Sequence, residues 1–224
     1  MFIGHYAVAF AAKRQAPAVS LGALFFAAQL ADLLWPPLVL AGVERVVVAP
    51  GITAVTPLDF ESYPWSHSLL MLVVWGLLVG VGHRLLRGST QAAVLLGGCV
   101  VSHWVLDWLS HRPDMPLFPG GPRFGLGLWM SRPATLIVEL GLFAAAVGLY
   151  VRRTRPADRI GRWGLASLVA FLVVVYLGNL FGPPPPSTAA IAWTGNAMWL
   201  LVLWGAWIDR HRTGPPATAD TARR

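Results

Sequence analysis

Apolar residues fill most of this chain, in runs separated by short polar or proline- and glycine-rich stretches. Six runs are about as long as the roughly 17 to 25 residues that a helix needs to cross a bilayer. They lie near residues 20–42, 66–83, 91–109, 133–151, 163–182 and 190–208, and a shorter apolar stretch, 2–12, precedes them. The pattern predicts an all-α polytopic membrane protein, a bundle of about six transmembrane helices with a short N-terminal half-helix.

The short first stretch is predicted to pair with the run after it as a hairpin. If the stretch descends as a helix and the next run climbs back, the turn near Pro17 lies about midway between His5 and Asp32. Those two side chains would then lie at the same depth. The hairpin would leave Lys13 and Arg14 deep, where they must extend toward water or pack against protein.

Composition supports a membrane location and argues against nucleic acid as a partner. The 224 residues are 56% hydrophobic and 12% charged, whereas soluble domains average about 25% charged residues. The 11 Trp residues fit the belts that form at membrane interfaces. The pI near 10.7 comes from basic residues in short clusters between apolar runs, which are topology signals. The single cysteine, Cys99, excludes an internal disulfide and a cysteine-based metal cage.

Basic residues recur after every second run, and such loops face the cytoplasm. This arrangement predicts six spans in a bacterial-type inner membrane, with the C-terminus in the cytoplasm and long outer loops at 43–65 and 110–132. Residues 1–151 are predicted to form a helical core that carries the functional site. Residues 152–212 add two C-terminal transmembrane helices, and the polar stretch 213–224 is predicted to be a disordered cytoplasmic tail.

The motif "SHWVLDWLSH" near the end of the third run carries candidate chemistry. Its His103, Asp107 and His111 are spaced by four, which stacks them on one helical face. Ionisable groups in a span are costly and indicate function by default. Asp32, His67 and Glu139 lie at similar depth in other spans, roughly 5 to 12 Å below the outer surface at about 1.5 Å per residue.

Four imidazoles and three carboxylates from several segments would need a common partner at that depth. They are His5, His67, His103, His111, Asp32, Asp107 and Glu139. A divalent metal is the simplest partner, as one or two ions. Zinc suits this mixture of nitrogen and oxygen ligands, manganese or iron is also possible, and the lack of thiolates argues against copper(I).

Taken singly, these residues allow structural readings. His67 could neighbour a helix cap formed by Ser66, and Asp32 could pair with Arg45. The whole set could also be a polar network that locks helices together. Seven groups in one layer favour the metal site over these alternatives.

The outer loops offer further candidates. Asp59 could serve as a catalytic base or an outer ligand, although most acids in a solvated loop have no special role. Arg112 directly follows His111 and could hold an anionic group bidentately. Its alternatives are contact with lipid headgroups or a pair with Glu139.

The motifs "GHYAVAF", an Asp ending the second apolar stretch, "SHS" and "SHWVLD" occur in an order that resembles the YdjM-like membrane-bound metal-dependent hydrolases. The resemblance covers roughly residues 1–140. The ligand order is also similar to that of zinc-dependent phospholipase C and the P1-type nucleases. That similarity implies one metal held by Asp32, His67, His103 and Asp107. It also implies that Asp107 bridges to a second metal held with His5, and that His111 with Glu139 offers a further position.

This chain departs from those patterns at three places. Thr135 stands where those enzymes have the histidine of a His-x3-Glu pair, and Met1 stands where they use an N-terminal tryptophan. The residues "SYPW" replace an "HRG" found before the equivalent of "SHS" in many YdjM-like proteins. The first two departures favour one or two ions over three, and the third indicates a different substrate.

The leading hypothesis is a membrane-embedded hydrolase whose metal-activated water attacks a phosphoester or related ester of a lipid-like substrate. Asp32 or Asp59 could accept the proton. The alternative is a metal-ion or proton transporter, or a metal-binding membrane protein without catalysis. The polar groups lie on one side of the membrane, which favours a site that opens at the surface.

Overall fold

The structure is a computed structural model of the chain, and it describes residues 1–214. Most of the tail predicted at 213–224 therefore lies outside the described residues. The helices are α1 (Ile3–Ala12), α2 (Leu21–Ala28), α3 (Leu30–Leu40), α4 (Pro64–His67), α5 (Leu69–Arg87), α6 (Thr90–Ser110), α7 (Arg132–Arg153), α8 (Arg159–Phe181), α9 (Thr188–Asn196) and α10 (Met198–Arg210). A short 3-10 helix spans Leu128–Met130.

The predicted all-α membrane bundle is confirmed. Within residues 1–214, five helical segments are long and apolar enough to cross a membrane: α5, α6, α7, α8 and the continuous pair α9–α10. The pair α2–α3 is bent by 56° at its break and could form a sixth span. The chain is therefore a polytopic membrane-embedded protein, with five or six spans in the part that the structure describes.

Most of the spans start at a short polar side chain that caps the helix. Such a side chain accepts a hydrogen bond from an amide of the first turn that would otherwise lack a partner, a need that is greatest where water is excluded. The caps of α2, α5, α6, α7, α8 and α9 are Ser20, Ser68, Ser89, Ser131, Asp158 and Ser187. Gly88, at φ 74°, ends α5 in the left-handed conformation that favours glycine.

The bundle has two chemically different ends. We call the end where α5, α7 and α10 finish the basic end, and it carries Arg84, Arg87, Arg152, Arg153, Arg155, Arg159, Arg162, Arg210 and Arg212. A two-stranded pair, β5 (Arg155–Pro156) with β6 (Arg212–Thr213), lies there. The opposite end, the loop end, carries the antiparallel pairs β1 (Arg45–Val48) with β2 (Leu58–Ser62) and β3 (Met115–Pro116) with β4 (Arg123–Phe124).

Helix α1 lies inside the bundle and is enclosed by protein. Eight of its ten residues are buried, and it packs on α2, α6 and α7. The Phe10 ring meets Phe25 and Tyr150 at centroid distances of 5.2 Å and Phe143 at 5.9 Å. The half-helix predicted from its length is thus a core helix whose polar residues face other helices and not lipid.

The predicted hairpin forms, and the basic residue Lys13 in its turn has a specific partner. Its Nζ atom donates to Asp209 Oδ2 at 2.6 Å and to the Val19 carbonyl at 2.8 Å. Tyr150 donates to the other oxygen of Asp209 at 3.1 Å. Because Asp209 lies in the last turn of α10, the turn of the hairpin is held at the basic end with its charge neutralised.

Close helix contact also anchors the hairpin. A Cβ atom at Gly22 would lie 2.5 Å from the Ala206 Cβ and 2.6 Å from the Val202 carbonyl, so only glycine allows α2 and α10 to approach this closely. The C-terminal helix thereby packs directly against the part of the chain that carries Asp32.

Breaking the Lys13–Asp209 pair should destabilise the protein, because removal of one partner leaves an uncompensated buried charge. Lys13→Met and Asp209→Leu should each cost roughly 3 kcal/mol, and the double variant should be more stable than either single variant. Thermal unfolding in detergent measures this, with Arg14→Ala, an exposed neighbour, as a control that should change little. Additive losses in the double variant would contradict the pairing.

Candidate metal centre

Polar side chains from four helices meet near the loop-end terminus of α6. His103 and Asp107 lie one turn apart on α6, and His111 is the residue that ends the helix. His5 comes from α1, Asp32 from the first turn of α3, and His67 from the last position of α4. Two groups place their ligand atoms within 4.8 Å of one another: His5, His103 and Asp107, and Asp32, His67 and His103.

Two interruptions in the helices bring Asp32 and His67 to this place. Gln29 separates α2 from α3, and the 56° bend there turns the start of α3 toward α6. Ser68 separates α4 from α5 in an extended conformation and caps α5 by accepting from the Met71 amide at 3.3 Å. The cap of this span is therefore Ser68, and Ser66 is free for another role.

The two oxygens of Asp107 face different partners. Oδ2 lies 3.2 Å from His103 Nε2 and 3.9 Å from the Nε2 atoms of His67 and His111. Oδ1 lies 3.0 Å from His5 Nε2 and also contacts the α-amine of Met1. Asp107 thus stands between two neighbouring positions.

Asp32 closes the other side of the first position. Its Oδ1 atom lies 3.4 Å from His67 Nε2 and 3.7 Å from His103 Nε2. The Asp32 side chain is 25% exposed, whereas those of His103 and Asp107 are at most 3% exposed. The approach to the centre from outside therefore passes Asp32.

Hydrogen bonds to Nδ1 define which nitrogen of His103 and His67 carries the proton. His103 Nδ1 lies 2.9 Å from the Ala28 carbonyl, which can only accept, so this Nδ1 is protonated. His67 Nδ1 lies 2.7 Å from Ser66 Oγ. Ser66 donates its single proton to the Glu44 carboxylate at 2.6 Å, so its oxygen accepts from His67. In the neutral form of both imidazoles, the lone pair is therefore on Nε2.

The same arrangement holds for His111. Its Nδ1 lies 2.9 Å from Asp114 Oδ1, which accepts. Tyr63 donates to the same oxygen at 3.0 Å, and Arg112 Nε donates to the other at 3.1 Å. Burial, and then the nearby charge of Asp114, raises the pKa of Tyr63 well above its usual value, so its hydroxyl stays protonated as a donor.

When neutral, these three imidazoles therefore direct unprotonated Nε2 atoms toward two carboxylates in one buried space. Metal-binding histidines typically hold the other ring nitrogen in this way, on a carboxylate, carbonyl or hydroxyl group. Within residues 1–214, His103 Nε2 is fully buried and has no hydrogen-bond partner. Lone pairs that face carboxylates repel unless a cation lies between them, so the centre can bind a metal ion or protons.

His5 differs from the other three histidines. Its ring stacks on His103 with centroids 3.6 Å apart and planes 3° from parallel. Its Nε2 faces Asp107, and its Nδ1 has no hydrogen-bond partner in the described part of the chain. Because the Asp107 carboxylate oxygen 3.0 Å away can only accept, His5 Nε2 is protonated and donates to it. The ring borders the second position next to Asp107 Oδ1.

Besides His111, which lies 3.9 Å from Asp107 Oδ2, three other predicted site residues lie outside both groups. Glu139 is buried and accepts from the Phe2 and Gly4 amides at 2.9 and 3.3 Å, so it satisfies the first turn of α1. Asp59 forms an ion pair with Arg112. Since Arg112 also binds Asp114, its guanidinium is shared between two carboxylates and acts on the centre through His111.

Sequence reasoning missed Glu44, Ser66 and Asp114, the residues that orient His67 and His111. Glu44 is 1% exposed and also accepts from the Trp65 and Ser66 amides at 2.8 and 2.9 Å. In the sequence the two acids, Glu44 and Asp114, look like ordinary loop residues. The one available signal is the close spacing of Asp114 after His111.

Aromatic rings from the loop end surround His111 and limit water. The Trp129 and Phe60 ring centroids lie 4.2 and 5.0 Å from that of His111. Tyr63 packs against His67 at 5.1 Å. Electrostatic interactions at the centre are therefore stronger than they would be in water.

Comparison with protein-family models, curated proteins and solved structures finds no match to this chain. The resemblance to YdjM-like hydrolases stays a prediction. Any functional proposal has to stand on the positions of the chain's own residues.

Metal-free protein labelled with 15N-histidine should show the Nδ1–H tautomer at His67, His103 and His111 in solid-state NMR at about pH 8, where unperturbed imidazole is neutral. Ser66→Ala should alter the ring signals of His67 and leave those of His111 unchanged, because it removes only one of the acceptors. Ser102→Ala, which removes a hydroxyl bonded to the Cys99 carbonyl on the same helix as His103, is the control. Protonated Nε2 atoms in the wild type would contradict these assignments.

Proposed function

We propose that this chain is a membrane-embedded, metal-dependent hydrolase that acts on a phosphoester or related ester of a lipid-like substrate. The observation that carries the proposal is the convergence of three oriented imidazoles on two carboxylates inside the bundle. The proposed ligands of the first position are Asp32, Asp107, His67 and His103, and His111 borders this position at 3.9 Å from Asp107 Oδ2. A second ion, if bound, would lie between His5 and Asp107 Oδ1.

The ligand separations support a small divalent ion. Zinc bonds nitrogen and oxygen at about 2.0 to 2.2 Å, so ligands of one tetrahedral ion lie about 3.4 Å apart. The distances from Nε2 atoms to Asp32 and Asp107 oxygens in the first position are 3.2 to 3.9 Å. Zinc is proposed on this ligand chemistry, with manganese or iron as alternatives.

A bound divalent ion would supply Lewis-acid chemistry and lower the pKa of a bound water. Asp32 is the carboxylate at the accessible side of the centre, and we propose that it acts as the general base that accepts a proton from the attacking water. Asp59 is a weaker candidate, because Arg112 holds it away from the ligands. Arg112 has the role of a positioning residue for Asp114, and an anionic substrate would have to compete with two carboxylates for it.

The distribution of basic residues supports a location of the centre near the outer face of the membrane. Loops rich in Lys and Arg remain in the cytoplasm. The basic end and the C-terminus would therefore lie on the cytoplasmic side of a bacterial-type inner membrane. The centre, near the opposite end, would lie close to the outer face. A substrate that is itself part of the membrane, such as a phospholipid or lipid phosphate, could reach Asp32 at this depth.

The alternative function, transport of a metal ion or protons, would require polar groups that continue across the bundle. Along α1 toward the basic end, the next buried charge after His5 is Lys13, about 12 Å away at 1.5 Å per residue. Between them Phe10 packs against Phe25 and Phe143. This aromatic layer favours a site that opens to one side.

Purified wild-type protein should contain one or two equivalents of divalent metal by elemental analysis. His103→Ala and Asp107→Ala should lose it, because each removes a ligand at the centre of the cluster. His83→Ala, a histidine near the basic end of α5, is the matched control and should keep the metal. No stoichiometric metal in the wild type, or unchanged content in both ligand variants, would overturn the metal site.

Metal-loaded wild-type protein should release product from at least one member of a panel of phospholipids and lipid phosphates in mixed micelles. Asp32→Asn should lower the rate by about 100-fold or more, in the range typical for loss of a general base, and Asp59→Asn should have a smaller effect. If loaded protein releases no product but moves metal ions or protons across proteoliposomes, the enzyme assignment is wrong and the transporter is correct.

A further inference from the structure

A groove at the basic end lies between the start of α8 and the end of α10, far from the metal centre. Its volume is about 430 Å³. Its walls include Arg159, Trp163, Gly164 and Ser167 from α8 and Trp204 and Trp207 from α10. Neither the fold nor the proposed hydrolysis explains why one cation and three tryptophans line it.

The groove is long and runs along the helices. Arg159, Trp163 and Ser167 are spaced by four and share one face of α8, so the groove extends over about 12 Å at 1.5 Å per residue. At its floor, α8 packs closely on α10 at the buried Gly164, where a Cβ atom would lie 3.2 Å from Ile208 Cγ1. The shape suits an extended, narrow occupant.

The polarity of the groove changes along its length. Arg159 lies in the first turn of α8, at the basic end, and Ser167 lies two turns deeper. Trp163 is 66% exposed and Trp207 is 46% exposed, as expected for rings at the headgroup level of a bilayer. An occupant should therefore be charged at one end and apolar along the rest.

The charge at this end is positive and not neutralised by neighbouring acids. Asp158 binds the His211 ring at 2.7 Å and caps α8, and Asp209 is occupied by Lys13 and Tyr150. Within the described residues, Arg159 has no ion pair and no side-chain hydrogen bond. The charged end of the occupant should accordingly be an anion.

We infer that this groove binds one anionic phospholipid of the bilayer leaflet at the basic end. Its phosphate contacts Arg159, and one acyl chain lies along Trp163, Trp207 and Trp204. Basic pockets between transmembrane helices on the cytoplasmic side are a known mode of anionic lipid recognition. This inference does not depend on the metal centre.

Native mass spectrometry from a nonionic detergent tests the inference, with phosphatidylglycerol and phosphatidylcholine of identical acyl chains as probes. The wild type should bind one phosphatidylglycerol about fivefold more tightly than phosphatidylcholine, as expected for one arginine near an anionic headgroup. Arg159→Gln should remove this preference. Trp163→Ala should weaken both lipids equally, because it removes acyl contact and no charge.

Arg153→Gln is the matched control, since Arg153 lies at the same end, on α7 and outside the groove. Equal binding of the two lipids by the wild type would overturn the inference, and so would an equal loss of preference in Arg153→Gln and Arg159→Gln. A lipid-free dimer that dissociates on Trp163→Ala would also overturn it, and would assign the groove to a second copy of the chain.

Discussion

Burial of ionisable groups away from water is the constraint on which this structure depends. Each such group costs free energy unless a partner of opposite charge or a hydrogen-bond donor compensates it. Lys13 has Asp209, Glu139 has two amides of α1, and Glu44 has the amides of Trp65 and Ser66. The Nε2 atoms of His67, His103 and His111 at the candidate metal centre stand apart from these, because in neutral imidazoles their lone pairs face carboxylates that repel them.

The irregular parts of the helices serve the same centre. An unbroken span could present side chains from one face only. The break at Gln29 lets the first turn of α3 approach α6 with Asp32, and the break at Ser68 lets the last turn of α4 approach it with His67. The short α1 has a similar effect, since its N-terminal turn lies beside Asp107 and its C-terminal end is anchored by Asp209. Packing among apolar residues holds these positions, because Phe10 and its aromatic neighbours fill the space below the centre.

The two ends of the bundle differ in chemistry and so in proposed role. The loop end combines buried acids, histidines and aromatic rings around an accessible carboxylate, Asp32. The basic end combines arginines with exposed tryptophans, a composition that suits contact with lipid headgroups. A protein that takes its substrate from one leaflet and is positioned by lipids of the other would have this asymmetry.

Several features could be predicted from the sequence because they depend on local properties. Hydropathy over about 20 residues determines the spans, and a spacing of four places His103 and Asp107 on one helical face. The equal depth of His5 and Asp32 also follows from the similar lengths of chain on either side of Pro17. The structure brings all of these residues together.

The tertiary structure alone decided which nitrogen of each histidine is free and which acids take part. Glu44 binds Ser66, 22 residues away, and through it orients His67, and Tyr63 reaches Asp114 across 51 residues. Glu139 is predicted at the same depth as the candidate ligands, yet it accepts from an amide of α1's first turn and lies in neither group. These outcomes depend on the path of the outer loops and on the directions of single side chains, and neither is encoded in hydropathy or in helical spacing.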